Sequence, residues 1–125
     1  MSGPPRAAPA VRRGDVVVLD WVYSDGGASK VRPAVVVQAD GLNRRLTATV
    51  VAALTSNTSR PHLPTQFLIE RNTPDGRAAG VVRDSAVTAE NLLTIDRSLV
   101  LRRIGRLAPG HLTALSDCLR AALGL

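Results

Sequence analysis

Apolar residues fall along this chain in short runs, separated by stretches rich in glycine, serine and proline. DVVVLDW (Asp15–Trp21) is the first run, and PAVVVQA (Pro33–Ala39) is the second. Between them lies VYSDGGASKVR, which reads as a loop. DGLNRR marks a turn leading into LTATVVAALT (Leu46–Thr55), a third strand that is apolar nearly throughout. SNTSRPHLP is the next loop, TQFLIE (Thr65–Glu70) a fourth strand, and RNTPDGRAAG turns the chain again. VVRDSAVTAENLLTI reads as two short extended pieces, and LVLRRIGRL (Leu99–Leu107) as the last strand. The end changes period. In PGHLTALSDCLRAALGL, Leu112, Leu115, Leu119 and Leu123 recur at helical spacing, with Pro109 and Gly110 at the start. Many short strands closed by one amphipathic helix predict a mainly β fold, a small barrel or rolled sheet with a helix packed on it.

A chain of 125 residues is about one domain. Hydrophobic residues make up 45% but aromatics only 2%, so Val, Leu, Ala and Ile must build the core. Few rings remain for stacking on bases. MSGPPRAAPA has three prolines in ten residues and no apolar signal core. Residues 1–12 therefore read as a disordered leader, and residues 13–125 as a single domain. No run approaches membrane-spanning length. The single cysteine, Cys118, cannot form an internal disulfide; it lies in the helical pattern as inert packing, and a reducing cytoplasm fits.

Charge adds a functional hint. Sixteen basic against ten acidic residues give +6, and fifteen of the bases are arginine. Arginine matches phosphate geometry in a planar fork. The bases recur from Arg6 to Arg120, which argues for a basic face on a globule rather than a basic tail. Solubility alone is the plainer explanation of the same excess.

Standard catalytic signals are absent: no phosphate-binding glycine loop, no metal-spaced Cys/His pairs, no nucleophile elbow. His62 falls in a loop and His111 near a helix start, and surface roles suit both. What remains is polar residues at strand ends, where a rigid scaffold displays functional groups. Arg32 precedes the second strand, Thr55, Ser56 and Asn57 end the third, and Arg83, Asp84 and Ser85 follow a short apolar pair. An arginine beside a threonine hydroxyl can clamp a phosphate. Taken singly, each also reads as ordinary turn chemistry.

Taken together, RGDVV (13–17), VRPAVVVQ (31–38), VVAALTSN (50–57), LPTQFLIE (63–70), RDSAVTAENLLTID (83–96) and IGRL (104–107) resemble the MazF/PemK (Kid) family of toxin–antitoxin ribonucleases. The order and spacing of these segments carry the resemblance, which spans nearly everything after the leader. It implies a compact SH3-like barrel with a terminal helix, assembled as a homodimer. It implies cleavage of single-stranded RNA without metal or cofactor, the 2′-hydroxyl attacking the adjacent phosphate to leave 2′,3′-cyclic phosphate and 5′-hydroxyl ends. By resemblance, Arg32 stabilises the pentacoordinate phosphate and Thr55 hydrogen-bonds it. The resemblance implies RNA contact at Ser29, Lys30, Ser56, Asn57, Arg83 and Glu90, with Arg83 matching an arginine that serves catalysis or RNA contact in one branch of the family. The implied partner is an acidic antitoxin, through which alone the toxin would reach operator DNA.

The sequence also departs from the family. Many members carry GSEQ in the loop before the Arg–Pro step, where this chain has SDGGASK. Asn91 and Leu93 stand where many members have Gln and then a basic residue. No histidine occupies a matched position, so the resemblance assigns no general base. Two rivals remain at this point: a toxin of similar fold that inhibits DNA gyrase without catalysis, and a nucleic-acid-binding module that has lost catalysis. Retention of both Arg32 and Thr55 favours the nuclease.

Overall fold

The structure, a computed structural model, describes residues 9–21, 30–59 and 63–125. Six strands form one antiparallel sheet: β1 (Asp15–Trp21), β2 (Lys30–Val36), β3 (Ala48–Thr55), β4 (Gln66–Ile69), β5 (Ser85–Asp96) and β6 (Val100–Arg106). Their order across the sheet is β4-β5-β3-β2-β1-β6. Three helices accompany them: α1 (Asp40–Arg45), α2 (Pro74–Ala79) and α3 (Pro109–Leu123). The mainly β architecture with its C-terminal helix is the one the apolar pattern predicts.

The near-continuous apolar runs have a simple cause: the curled sheet is buried on both faces. Successive residues of a strand point to opposite sides. Val16, Val35, Ala52, Leu54, Ile69 and Val87 join one core cluster, which Leu115 of α3 completes. Val17, Leu19, Ala34, Val36, Val51 and Ile95 join the other. Val11 is 6% exposed in that second cluster. Of the expected leader, residues 1–8 lie outside the described residues, whereas Val11 packs into the core.

The two pieces expected between Val81 and Ile95 are one strand, β5, with a break in its pairing. Ala52 of β3 faces Leu92, but the next residue, Ala53, faces Thr88, so residues 89–91 are extra on β5. Two expected turns contain helices. DGLNRR is α1, held by a buried amide: Asn43 Nδ2 donates to the Gln38 carbonyl at 3.0 Å and Thr49 Oγ1 donates to Asn43 Oδ1 at 2.7 Å. TPDGRAAG holds α2, where Thr73 caps the first turn through the Gly76 N–H at 3.0 Å and Pro74 stands at the first helical position.

Packing of α2 on β6 needs two glycines. Gly80 ends α2 in the left-handed region, φ 74°. A Cβ on Gly105 would lie 2.3 Å from the Ala79 carbonyl carbon and 2.4 Å from its oxygen. Backbone therefore meets backbone there. Among the described residues, no helix is long and apolar enough to cross a membrane.

Candidate active site

β2 outruns its neighbour. It pairs with β3 only from Ala34 to Val36, but with β1 back to Lys30. Pro33 lies in this overhang, where the missing N–H deprives β3 of no ladder bond. Continuing the β2–β3 register by two residues sets Thr55 opposite Arg32. The sheet itself thus delivers the two residues singled out from sequence to one place. Both line an open groove of about 900 Å³.

Thr55 ends β3, and its Oγ1 accepts the Asn57 N–H at 3.1 Å. A hydroxyl has one proton and two lone pairs. This bond uses a lone pair of the hydroxyl and does not use its proton, which an acceptor in the groove could take. Asn57 turns its Oδ1 to Ser59, accepting from Ser59 Oγ at 2.6 Å and from Ser59 N at 3.2 Å. Ser56 and Asn57 line the groove and are exposed. Arg83 enters from the opposite side, on the turn into β5. Two bonds set that turn: Ser85 Oγ donates to the Arg83 carbonyl at 2.9 Å, and Asp84 Oδ1 accepts the Arg71 N–H at 2.8 Å.

The groove thus gathers Arg32, Thr55, Ser56, Asn57 and Arg83. It does not gather Lys30 or Glu90. Lys30 pairs with Trp21 at the far end of the overhang. Glu90 belongs to the extra segment of β5, and its Oε2 accepts from Gln66 Nε2 at 2.7 Å. Ser29 and His62 lie outside the described residues. His111 sits on α3 with its ring centroid 5.5 Å from that of Phe67, and it does not line the groove. Cys118 is buried in α3, and burial pushes its thiol pKa up, with Asp117 and Glu90 adding to the effect. A thiol held protonated in this way is a poor nucleophile.

Arg102 and Arg103 of β6 also line the groove, and the sequence pattern alone does not single them out. A signal was present: two adjacent cations in a strand cannot both obey an in–out alternation. Among the described residues, four arginines and no acidic residue line this groove. The remaining wall is aliphatic, with Val18, Val31, Leu54 and Ile104 among it and, among the described residues, no aromatic ring. No cluster of three or more His, Cys, Asp or Glu side chains suited to a metal occurs among the described residues.

A small curled sheet with four arginines and no acidic residue on the described lining of one open groove is suited to binding a polyanion. The family described as "PemK-like, MazF-like toxin of type II toxin-antitoxin system" matches residues 12–123. The chain belongs to that family. Endoribonuclease EndoA of Bacillus subtilis (strain 168) is 33% identical over 118 residues, covering 92% of this chain and 96% of the relative. Among solved structures, an endoribonuclease in complex with its cognate antitoxin, from a mycobacterial species, superposes with a TM-score of 0.73 at 25% identity. It covers 93% of this chain and 97% of its own. The MazE–MazF complex of Deinococcus radiodurans gives 0.69 at 19% identity, covering 94% of this chain and 98% of its own, a likeness of fold.

Proposed function

We propose that the chain is the toxin of a type II toxin–antitoxin pair, a sequence-selective endoribonuclease acting on single-stranded RNA in the cytoplasm. The observation that carries this is that Arg32 and Thr55, beyond the last β2–β3 pair, line one groove whose described lining holds arginines and no carboxylate. Family membership and the endoribonuclease relatives support it. The scissile phosphate sits between Arg32 and Thr55. The 2′-hydroxyl attacks the phosphorus and the 5′-oxygen leaves, giving a 2′,3′-cyclic phosphate and a 5′-hydroxyl. Negative charge grows on the non-bridging oxygens in the transition state. The Arg32 guanidinium and the Thr55 hydroxyl meet it as fixed donors, each contributing roughly 2.7–4 kcal/mol if it behaves like a typical oxyanion donor. A guanidinium is a weak general acid, so its larger share is electrostatic.

The toxin works as a homodimer and is restrained by an acidic antitoxin that covers the same basic surface. Charge complementarity with the +6 chain speeds that association. The test incubates purified protein with a long single-stranded RNA in excess chelator and maps the ends. Discrete cuts with 5′-hydroxyl ends are expected, with the rate reduced roughly a hundredfold or more in Arg32→Ala. Wild-type cutting by Arg32→Ala removes the site assignment. Intact RNA together with growth arrest on expression points instead to the gyrase-inhibiting type of toxin.

A further inference from the structure

β6 is an edge strand with two irregularities in its pairing to β1. Val16 faces Gly105 but Val17 faces Arg103, which leaves Ile104 extra. Val18 faces Arg102 but Leu19 faces Val100, which leaves Leu101 extra. In a regular strand Arg102 and Arg103 would point to opposite faces. Between the two bulges the pairing is regular, Arg103 facing Val17 and Arg102 facing Val18; the bulges on either side bend the strand, and both residues line the same groove. Edge protection alone accounts for bulges and charge. It does not account for two further arginines lining a groove that already holds Arg32 and Arg83.

Charge and spacing separate them from the scissile position. A phosphodiester carries one negative charge, and four arginines exceed what one phosphate neutralises. Val18 faces Pro33 on one side and Arg102 on the other. The β6 backbone is therefore two strand spacings from β2, roughly 10 Å. Arg103 is steadied from behind. The buried Asp15 carboxylate lies 3.8 Å from Arg103 Nη1 and is held by Arg106 at 2.9 Å and by the Arg12 N–H at 2.9 Å. The Arg103 side chain stays 59% exposed.

We infer that Arg102 and Arg103 form a second phosphate subsite, which grips a non-scissile phosphate of the same RNA strand and sets its register over Arg32 and Thr55. The inference rests on the ribonuclease reading for the identity of the strand. The β6 pair acts in binding, not at the reacting phosphorus.

The test uses the full chain and two probes: a single-stranded RNA of mixed sequence, and its 2′-O-methyl copy, which lacks the attacking hydroxyl. Binding of the copy is followed by fluorescence anisotropy across a salt series, and kcat and KM are measured on the RNA. Arg102→Ala/Arg103→Ala is expected to bind on the order of tenfold more weakly. Its slope of log K against log salt becomes shallower by about 0.7 for each phosphate that the protein no longer neutralises. KM rises and kcat holds. Arg102→Lys/Arg103→Lys recovers most of the binding, which a misfolded protein would not do. An unchanged salt slope in the alanine pair, a loss confined to kcat, or no recovery with lysine overturns the subsite. A wild-type protein that binds the copy with full slope yet never cuts the RNA overturns the ribonuclease reading and leaves the subsite standing.

Discussion

Asp40 opens α1 and holds the chain just before β1: its Oδ1 accepts the Arg13 N–H at 2.7 Å and Asn43 Nδ2 at 3.3 Å. The Arg13 N–H lowers this carboxyl below the ordinary 3.8; Asn43 and the nearby Arg12 and Arg106 charges also lower it, against the opposing effect of burial. A carboxyl depressed in the folded state stabilises the fold above its unfolded pKa, and that contribution is lost as pH falls through the folded value. Melting temperature should therefore fall as pH drops below about 4, and Asp40→Asn should show a smaller fall over the same interval. Parallel curves for the two proteins would remove Asp40 as a cause of acid sensitivity. Legibility at this scale followed the apolar pattern. Arg32, Thr55, Ser56, Asn57 and Arg83 stand where apolar runs begin or end, so each was visible as a break. Arg102 and Arg103 lie inside a run, so no break marks them, and only their adjacency hints that one of them leaves the solvent face. Glu90 belongs to the extra residues of β5, outside the groove, where its carboxylate accepts from Gln66, and local sequence does not show that placement.

Elements of six residues are too short to show a period in the sequence, and both α1 and α2 have this length. For α2 the punctuation was legible in principle: Thr73 then Pro74 at the start and Gly80 at the end. What no local pattern shows is that Gly80 and Gly105 let α2 lie against β6 backbone to backbone. Gly80, Val81 and Val82 then run directly into the groove wall. Gly105→Ala forces that packing apart, because no flexible side chain is there to yield. It should cost roughly 1–3 kcal/mol, as overpacking does, and should also weaken RNA binding by shifting the wall. Gly110→Ala is the control, since a Cβ there meets nothing within 4 Å. Equal melting temperatures for Gly105→Ala and wild type would mean that the packing is looser than it looks.

For the molecule as a whole, the type of strands was readable, their number was one too many because β5 reads as two pieces, and their order was not readable. Strand type follows from local alternation and burial. Order depends on pairings such as Asp15 with Arg106, between residues at nearly opposite ends of the chain. β1 is the join: β2 lies on one side of it and β6 on the other. The groove borrows from both sides, with Arg32, Thr55 and Arg83 from the earlier chain and Arg102 and Arg103 from the later. A chain stopped after Asp96 lacks both β6 and α3 and is expected to bind no single-stranded RNA in a filter assay. Full binding by that fragment would show that the groove needs neither. This topology also has a consequence in time. A chain emerges from the ribosome N-terminus first, so the strand that closes the groove arrives after every other strand. The ribosome, itself largely RNA, thus builds its own potential attacker in a form that is expected not to grip a strand until β6 has emerged.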